Sequence, residues 1–275
     1  MENSRMLLSE ETGAIHPTAI ISDTAQIGRN TTIGPYCIVE DDVVIGENCT
    51  LAANTVIRRG SILGNGISVD SFSVIGGAPQ IKDFDVSIRG GVKIGSHVVI
   101  REHVTIHRSS VEGGYTSIGE GSMLMAASHV GHDAIVGNQV ILANAVLLGG
   151  FAQIDDYCFM GGGAGAHQFL RIGEGSIIAG GARMTLDTPP FSMIAERNEL
   201  AGLNLIGLKR REIPREEIIE LKRCFQAVYS TQGNPYEKAK KAKEEGLAST
   251  RCAEVFLSFF DQKGKKGIIS SLRTG

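Results

Sequence analysis

The sequence predicts a mainly β protein, a parallel β-helix of about nine coils followed by a small α-helical C-terminal domain. The main observation is a six-residue repeat, in which an aliphatic or small apolar residue recurs at every sixth position. It runs over residues 15–75, 88–106 and 118–184. The second is a change to helical spacing after Pro214, and the third is glycine, which supplies 35 of 275 residues against the usual ~7 %.

A period of six fits neither an α-helix nor a two-residue alternation, whereas a coil of three short, flat strands per turn produces it. The aliphatic residue of each hexad, and the small residue four places later, point into a narrow prism where stacked coils share one core. Cys37, Cys49 and Cys158 occupy the small inward position. Glycine often follows the aliphatic residue, as Gly28, Gly34, Gly46, Gly64 and Gly76 do, and we expect a left-handed backbone there.

The prism gives way to helices towards the C-terminus. Pro214 precedes a segment in which Ile218, Leu221, Phe225 and Val228 recur at helical spacing, which predicts an amphipathic helix. Two more helices are predicted at about 235–245 and 249–262. The predicted organisation is an N-terminal lead-in over 1–14, the β-helix over 15–190, and a connector with the helical domain over 191–275.

Composition excludes several classes of protein. The net charge is −3, so no global basic field exists to hold nucleic acid. The five cysteines are odd in number and contain no Cys-x-x-Cys pair, which argues against a disulfide framework or structural zinc. The start, MENSRMLLSEETG, has no apolar core of a signal peptide, and no stretch is long enough to span a membrane. A cytoplasmic location is therefore predicted.

Chemistry is expected where the hexads fail or where reactive side chains cluster. Two segments interrupt the repeat, 76–87 and 107–117, and either is also explained as a loop that a β-helix tolerates. A third place is ASHVGHDAIVGN, which contains His129, His132 and Asp133. Gly150 follows His132 by one coil of 18 residues, and His167 lies about one coil further on, so these residues are predicted to form one patch.

Two chemistries compete for the histidines. His97, His129, His132 and His167 supply the residue type that binds zinc in the γ-class carbonic anhydrases, which share the β-helix. The alternative is acyl transfer without a cofactor. Neutral His132 would take a proton from an attacking hydroxyl, Asp133 would orient the imidazole, and the Gly150 N–H would hold the oxyanion.

Four segments carry a specific resemblance: IREHVTIHRSS, SHVGHDAIVGNQVILAN, AHQFLRIGEGS and NLIGLKRR. In this order on a hexapeptide scaffold, they resemble the UDP-N-acetylglucosamine O-acyltransferases that open lipid A synthesis. The resemblance implies a left-handed β-helix, and it implies transfer of a 3-hydroxyacyl chain from acyl carrier protein to the sugar 3-hydroxyl. It requires neither a cofactor nor a metal.

The resemblance also assigns roles to individual residues. His132 is the general base with Asp133 beside it, and Gly150 is the oxyanion donor. The sugar, acyl and nucleotide contacts implied are His129, His167, Gln168, Gln80, Lys82, Asn204, Arg210 and Arg211. Gly180 and Ile177 match the end of the acyl-chain ruler, and a glycine there predicts a chain nearer fourteen carbons than ten.

The chain departs from the family pattern at two places. Phe151 stands where a third active-site histidine is usual, and Gln80-Ile81-Lys82-Asp83 stands where the family has Gln-Asp-Leu-Lys. These departures leave open a 3-amino analogue of the nucleotide sugar as substrate, another hexapeptide acyltransferase activity, or a protein that only binds. The related N-acyltransferase of lipid A synthesis is disfavoured, because only fourteen residues precede the first hexad.

Partners follow from the same resemblance. Acyl carrier protein is acidic, and a basic stretch beside the site would steer its docking; the alternative is a solvated helix face. That stretch contains Lys209, Arg210, Arg211, Arg215, Lys222 and Arg223. UDP-N-acetylglucosamine is the second substrate, and a homotrimer with sites between subunits is implied.

Overall fold

The computed structural model describes residues 13–272, and its fold is the predicted left-handed parallel β-helix with a small helical region at the C-terminal end. Residues 1–12, which include most of the predicted lead-in and of the MENSRMLLSEETG start, lie outside the described part. Each coil contributes one short strand to each of three parallel sheets in turn. None of the described helices combines the length and apolar character needed to cross a membrane.

The strands are numbered in chain order. The first sheet contains β1 (Ile20–Ile21), β4 (Ile38–Val39), β7 (Val56–Ile57), β10 (Val74–Gly77), β13 (Thr105–His107), β16 (His129–Val130), β19 (Leu147–Leu148), β22 (Gly165–Ala166) and β25 (Arg183–Met184). The second contains β2 (Gln26–Ile27), β5 (Val44–Ile45), β8 (Ser61–Leu63), β11 (Gly91–Ile94), β14 (Tyr115–Ile118), β17 (Ile135–Val136), β20 (Gln153–Ile154) and β23 (Arg171–Ile172). The third contains β3 (Thr32–Ile33), β6 (Thr50–Leu51), β9 (Ser68–Val69), β12 (Val99–Ile100), β15 (Met123–Leu124), β18 (Ile141–Leu142), β21 (Phe159–Met160), β24 (Ile177–Ile178), β26 (Ser192–Ile194) and β27 (Leu200–Leu203).

The core of the prism follows the hexad pattern. Val130 pairs with Leu148 across β16 and β19, a separation of one 18-residue coil, and both side chains are buried. The predicted inward cysteines, Cys37, Cys49 and Cys158, are buried as well. Aliphatic side chains therefore stack coil upon coil inside the prism, which gives short strands a continuous apolar core.

The expected role of the repeat glycines is wrong for four of five. Only Gly76 has a positive φ, whereas Gly28, Gly34, Gly46 and Gly64 do not. Glycine is required at these positions for a steric reason. A Cβ on Gly28, for example, would lie 2.4 Å from the backbone of the next coil. The left-handed residue of the corner instead stands three places after the aliphatic one and is usually not glycine.

The connections from the first sheet to the second form one edge of the prism, which we call the first corner. Its members relevant here are residues 78–90, 108–114, 131–134, 149–152 and 167–170. Both interruptions of the repeat leave the prism at this corner. The first is longer than predicted, because Ile88, where a hexad was expected to restart, lies outside any strand and β11 begins at Gly91.

The C-terminal part contains elements that the hexad count missed. β26 extends the third sheet by pairing in parallel with β24, and β27 pairs with β26 in antiparallel orientation. Four helices follow: α1 (Leu205–Arg210), α2 (Arg215–Tyr229), α3 (Pro235–Glu244) and α4 (Arg251–Ser258), with a short 3₁₀ turn at Phe259–Asp261. Three of these helices were predicted, whereas α1 was not.

A buried carboxylate joins the prism to the helices. Glu174, in the corner after β23, accepts from both Nη atoms of Arg251 at 3.0 and 2.8 Å. It also accepts from Nη2 of Arg211 at 2.6 Å. The Glu174 side chain is only 10 % exposed, so removing it would leave two guanidinium groups without their partner.

We expect replacement of Glu174 by alanine to lower the free energy of unfolding by about 3 kcal/mol, the lower end of the range for a broken buried pair, because Arg251 is half exposed. Denaturant unfolding of the purified protein measures this loss. The matched control is Glu47→Ala, whose exposed pair with Arg29 should contribute less than about 1 kcal/mol. Equal losses in the two variants would contradict the assignment.

Candidate active site

The histidines of the first sheet line an open cavity of about 930 Å³ along the first corner. His129 lies on β16, and His132 lies in the corner directly after it. The next two coils add Gly150 and His167 at the same edge. Residues of the cavity wall that belong to the predicted site are Gln80, His129, His132, Gly150, His167 and Gln168. The fold therefore gathers residues as far apart in sequence as Gln80 and Gln168.

His132 and Asp133 form the central polar pair. The Nδ1 atom of His132 lies 2.7 Å from Oδ2 of Asp133, and the two side chains are 17 % and 8 % exposed. Burial alone would raise the pKa of Asp133, but hydrogen bonds from Ser109, Ser110 and His132 outweigh it and hold that pKa below its usual value. Asp133 is therefore an ionised acceptor at neutral pH.

Gly150 lies against the other side of the His132 ring. A Cβ at Gly150 would come within 2.7 Å of Nε2 and Cε1 of His132, so the absence of a side chain keeps this space open. The peptide N–H of Gly150 donates to no acceptor among residues 13–272. A free donor beside a basic nitrogen is the arrangement needed to hold a developing oxyanion.

A fourth histidine of the cavity, His107, was not predicted from the sequence. It ends β13, lines the cavity and is buried, and its ring meets that of His129 edge to face at 4.7 Å. Burial, followed by the nearby charges of His129 and His132, lowers the pKa of His107 to about 4. Burial and His132 likewise lower the pKa of His129, whose Nδ1 lies 2.8 Å from the Thr105 hydroxyl. Both rings are therefore neutral at physiological pH.

The Phe151 ring forms an apolar surface beside the predicted base, His132. Its ring meets His132 edge to face at 5.4 Å and stacks on Phe169, one coil later, at 4.8 Å. The ammonium group of Lys265 lies 4.1 Å above Phe169. This position, where the family pattern has a histidine, therefore offers neither a proton nor a hydrogen bond.

The remaining predicted site residues lie apart from the cavity wall. Lys82 is exposed on the first interruption, and Arg210 is exposed at the end of α1. The Asn204 side chain caps α1 through Gly207 N and donates to the Gly175 carbonyl. Arg211 is held by Glu174 and stacks over Tyr157 at 3.9 Å. Ile177 lies on β24, three residues before Gly180.

The described residues do not gather the four histidines considered as metal ligands. His97 lies in the corner before β12, between the second and third sheets, whereas the other three lie on the first sheet or its corner. Over residues 13–272 no group of three or more histidine, cysteine, aspartate or glutamate side chains is arranged to hold a metal ion.

Comparison with known proteins supplies the family. Residues 187–269 match the model of the second domain of UDP-N-acetylglucosamine O-acyltransferase, and residues 24–59 match the bacterial transferase hexapeptide model of six repeats. An acyl-(acyl-carrier-protein)–UDP-N-acetylglucosamine O-acyltransferase of Aliivibrio fischeri is 40 % identical over 266 residues, which cover 94 % of this chain and 98 % of that protein.

Other relatives agree in sequence and in shape. The protein of the same name from Campylobacter concisus is 37 % identical over 78 % of this chain and 83 % of its own length. The solved structure of UDP-N-acetylglucosamine acyltransferase from Campylobacter jejuni superposes with a TM-score of 0.87 at 33 % identity, covering 95 % of this chain and all of that one. This chain belongs to the family of acyl-carrier-protein-dependent UDP-N-acetylglucosamine O-acyltransferases.

Proposed function

We propose that this protein transfers a 3-hydroxyacyl chain from acyl carrier protein to the 3-hydroxyl of UDP-N-acetylglucosamine, the first step of lipid A biosynthesis. One observation carries the chemistry. The bond from His132 to Asp133, 2.7 Å long, directs the opposite ring nitrogen towards Gly150 in the cavity. The names of the relatives state an O-acyltransferase that uses an acyl carrier protein and UDP-N-acetylglucosamine, and they support these two substrates.

The proposed mechanism needs no cofactor. Neutral His132 accepts the proton of the sugar 3-hydroxyl on Nε2 while the hydroxyl oxygen attacks the thioester carbonyl. The Gly150 N–H donates to the resulting oxyanion. Asp133 stabilises the imidazolium formed in this step. Collapse of the tetrahedral intermediate breaks the carbon–sulfur bond, and the imidazolium returns its proton to the leaving thiolate of the carrier.

Substrate contacts are proposed around this centre. Four polar side chains that line the cavity are proposed to supply donors and acceptors for the sugar and for the acyl 3-hydroxyl. They are His129, His167, Gln168 and Gln80. A Cβ on Gly180 would approach only backbone of the preceding coil, at 3.2 Å. Gly180 thus leaves room at the end of the acyl path, with Ile177 before it, and we propose a chain nearer fourteen carbons than ten.

The nucleotide end is proposed to meet the segment around α1, with Lys82 contacting substrate from the first interruption. Arg210 is exposed there, and its planar guanidinium group can donate two parallel hydrogen bonds to a phosphate. Asn204 and Arg211 are engaged within the chain, so we propose that they shape this segment. The Nη1 atom of Arg211 has no hydrogen-bond partner among residues 13–272 but is buried, so we propose that Arg211 acts through its packing and its bond to Glu174.

A basic face on α1 and α2 is proposed to dock the acidic carrier protein. Lys209, Arg210, Arg215, Lys222 and Arg223 are exposed on it. We expect the double change Lys222→Glu and Arg223→Glu to raise KM for the acyl carrier several-fold, with kcat little changed, because like charges then oppose docking. Steady-state kinetics with varied carrier measure this, and added salt should reduce the difference.

The control carries Lys240→Glu and Lys241→Glu on α3, which changes the net charge by the same amount on another helix. Its KM for the carrier should stay close to that of the wild type. Equal effects of the two double variants, or a KM that does not respond to salt, would contradict docking on α1 and α2.

A homotrimer is proposed for the assembly. The outer face of the first sheet carries an apolar column that includes Ile20, Ile38 and Leu147, of which Ile20 is 67 % and Leu147 54 % exposed. A second subunit would cover this column and border the histidine cavity. Sedimentation at the mass of three chains supports this, and a monomer contradicts it.

The five free, buried cysteines fit the cytoplasmic location that we propose.

Mass spectrometry of the products tests the function directly. Purified protein is incubated with a panel of 3-hydroxyacyl carriers of different chain length and with UDP-N-acetylglucosamine or its 3-amino analogue. An ester on the sugar 3-hydroxyl supports the proposal. An amide formed only from the 3-amino analogue, or tight binding of both sugars without turnover, would replace it.

A further inference from the structure

The second interruption of the repeat reaches the predicted base pair with two adjacent serines. We propose that Ser109 and Ser110 are positioning residues that hold the Asp133 carboxylate where it accepts the Nδ1–H of His132, so that Nε2 is left unprotonated towards Gly150. This inference deepens the proposed function and depends on it only for its kinetic readout. The interruption, which the repeat alone would explain as a tolerated loop, then belongs to the active site.

The Asp133 carboxylate has four hydrogen-bond partners. The Ser109 hydroxyl donates to Oδ1 of Asp133, while the Ser110 hydroxyl at 2.6 Å and the Ser110 N–H at 3.0 Å donate to Oδ2. His132 Nδ1 is the fourth partner, 2.7 Å from Oδ2. The main chain of Asp133 is fixed too, because its N–H donates to the Thr116 hydroxyl at 2.7 Å. Hence the carboxylate has one orientation available to it.

That orientation determines the tautomer of the imidazole. An ionised carboxylate only accepts hydrogen bonds, so the proton between His132 and Asp133 sits on Nδ1. In the neutral ring Nε2 then carries a lone pair, and Nε2 is the atom that faces Gly150. A carboxylate free to rotate or to become protonated would allow the other tautomer, which cannot accept a proton at Nε2.

The interruption is itself held in place. Arg108 donates to the carbonyl groups of Val86 and Ile88 in the first interruption. In return, the Arg89 N–H donates to the Glu112 carboxylate at 2.8 Å. Ser109 is fully buried, and its hydroxyl also accepts from the Val111 N–H. The two loops therefore brace each other, and the serines are rigidly presented to Asp133.

The test is the double change Ser109→Ala and Ser110→Ala. We expect kcat to fall about 10- to 100-fold, the usual loss when a group that orients a reactive ligand is removed, with KM for the nucleotide sugar unchanged. The carboxylate becomes more basic without its donors. Asp133 then takes up a proton at higher pH, and a protonated Asp133 no longer holds the proton on Nδ1 of His132, so the acid limb of the kcat profile moves to higher pH.

Other charged groups near the pair do not produce that shift. His107 and His129 have pKa values lowered mainly by burial, and neither ring is hydrogen-bonded to Ser109 or Ser110, so the double change leaves their titration as it is in the wild type. Arg108 and Glu112 are engaged with the neighbouring loop. The single change Ser110→Thr keeps a hydroxyl at this position, so we expect its kcat and its acid limb to stay close to those of the wild type. The control is Ser122→Ala: Ser122 is equally buried, and its hydroxyl donates to Gly137 O and accepts from Val140 N away from the site.

A second readout works without turnover. In ¹⁵N spectra of the unliganded protein, the His132 ring should show a protonated Nδ1 in the wild type and a mixture of tautomers in the double variant. An unmoved acid limb together with an unchanged tautomer would overturn the proposal. If the wild type itself catalyses no transfer, the proposed function fails, while the spectra still decide whether the serines position Asp133.

Discussion

Replacing His132 by alanine is expected to lower kcat by about 10³- to 10⁴-fold, the upper part of the range for loss of a general base. The physical reason is that no other group can accept the hydroxyl proton in the same place. His129 and His107 are held as weak bases by burial, and Phe151 presents only carbon to the ring. Product formation under saturating substrates measures the loss.

The control for this variant is His103→Ala. His103 is an exposed histidine that stacks on Phe72 at another corner of the prism, so its loss should leave the rate unchanged. The helix and sheet content of both variants should match that of the wild type, because His132 contributes no part of the apolar core. A His132→Ala protein that keeps the wild-type rate would overturn the assignment of the base.

Alanine at position 150 keeps the backbone N–H, but we expect it to lower kcat by about 10²- to 10³-fold, the cost of an oxyanion donor that no longer meets the reacting oxygen. The new methyl group would lie 2.7 Å from Nε2 and Cε1 of His132. The ring cannot simply move away, because Asp133 holds one side of it and Phe151 packs against another. The methyl group therefore displaces either the base or the reacting carbonyl.

Thermal unfolding separates this effect from instability. Gly150 does not have a positive φ and is only partly buried, so alanine should shift the midpoint by no more than a few degrees. KM for the nucleotide sugar should change less than kcat, because the proposed sugar contacts lie on other side chains. A wild-type kcat, or a loss that only parallels the loss of folded protein, would contradict the proposed role of Gly150.

Much of the fold was predictable because the hexad ties each inward residue to the next coil. Val130 and Leu148, for example, occupy the register that an 18-residue coil requires. The same 18-residue spacing predicts Gly150 beside His132, as the structure has it. The C-terminal helices were predictable from apolar spacing, since helices of this kind bury one face.

The rest depended on features that periodicity does not encode. The pairing of His107 with His129 was hidden because the excursion over 108–114 breaks the 18-residue register between them. Ser109 and Ser110 belong to the same irregular stretch, so no repeat position indicated their contact with Asp133. The role of Gly28 was misjudged for a related reason: the close approach of the next coil is a property of packing, and local backbone preference does not reveal it.

The first corner also sets the evolutionary freedom of the molecule. His132, Asp133 and Gly150 are each defined by their place within a coil, and coils meet only their neighbours. An insertion or deletion of one complete coil on the N-terminal side of β7 would therefore leave His132, Asp133 and Gly150 in their mutual register. An insertion of one or two hexads would rotate the following strands onto different walls of the prism, whereas extra residues that leave the prism at a corner, as 78–90 and 108–114 do, keep the order of the sheets. The length of the scaffold can thus drift in whole coils while the chemistry stays intact.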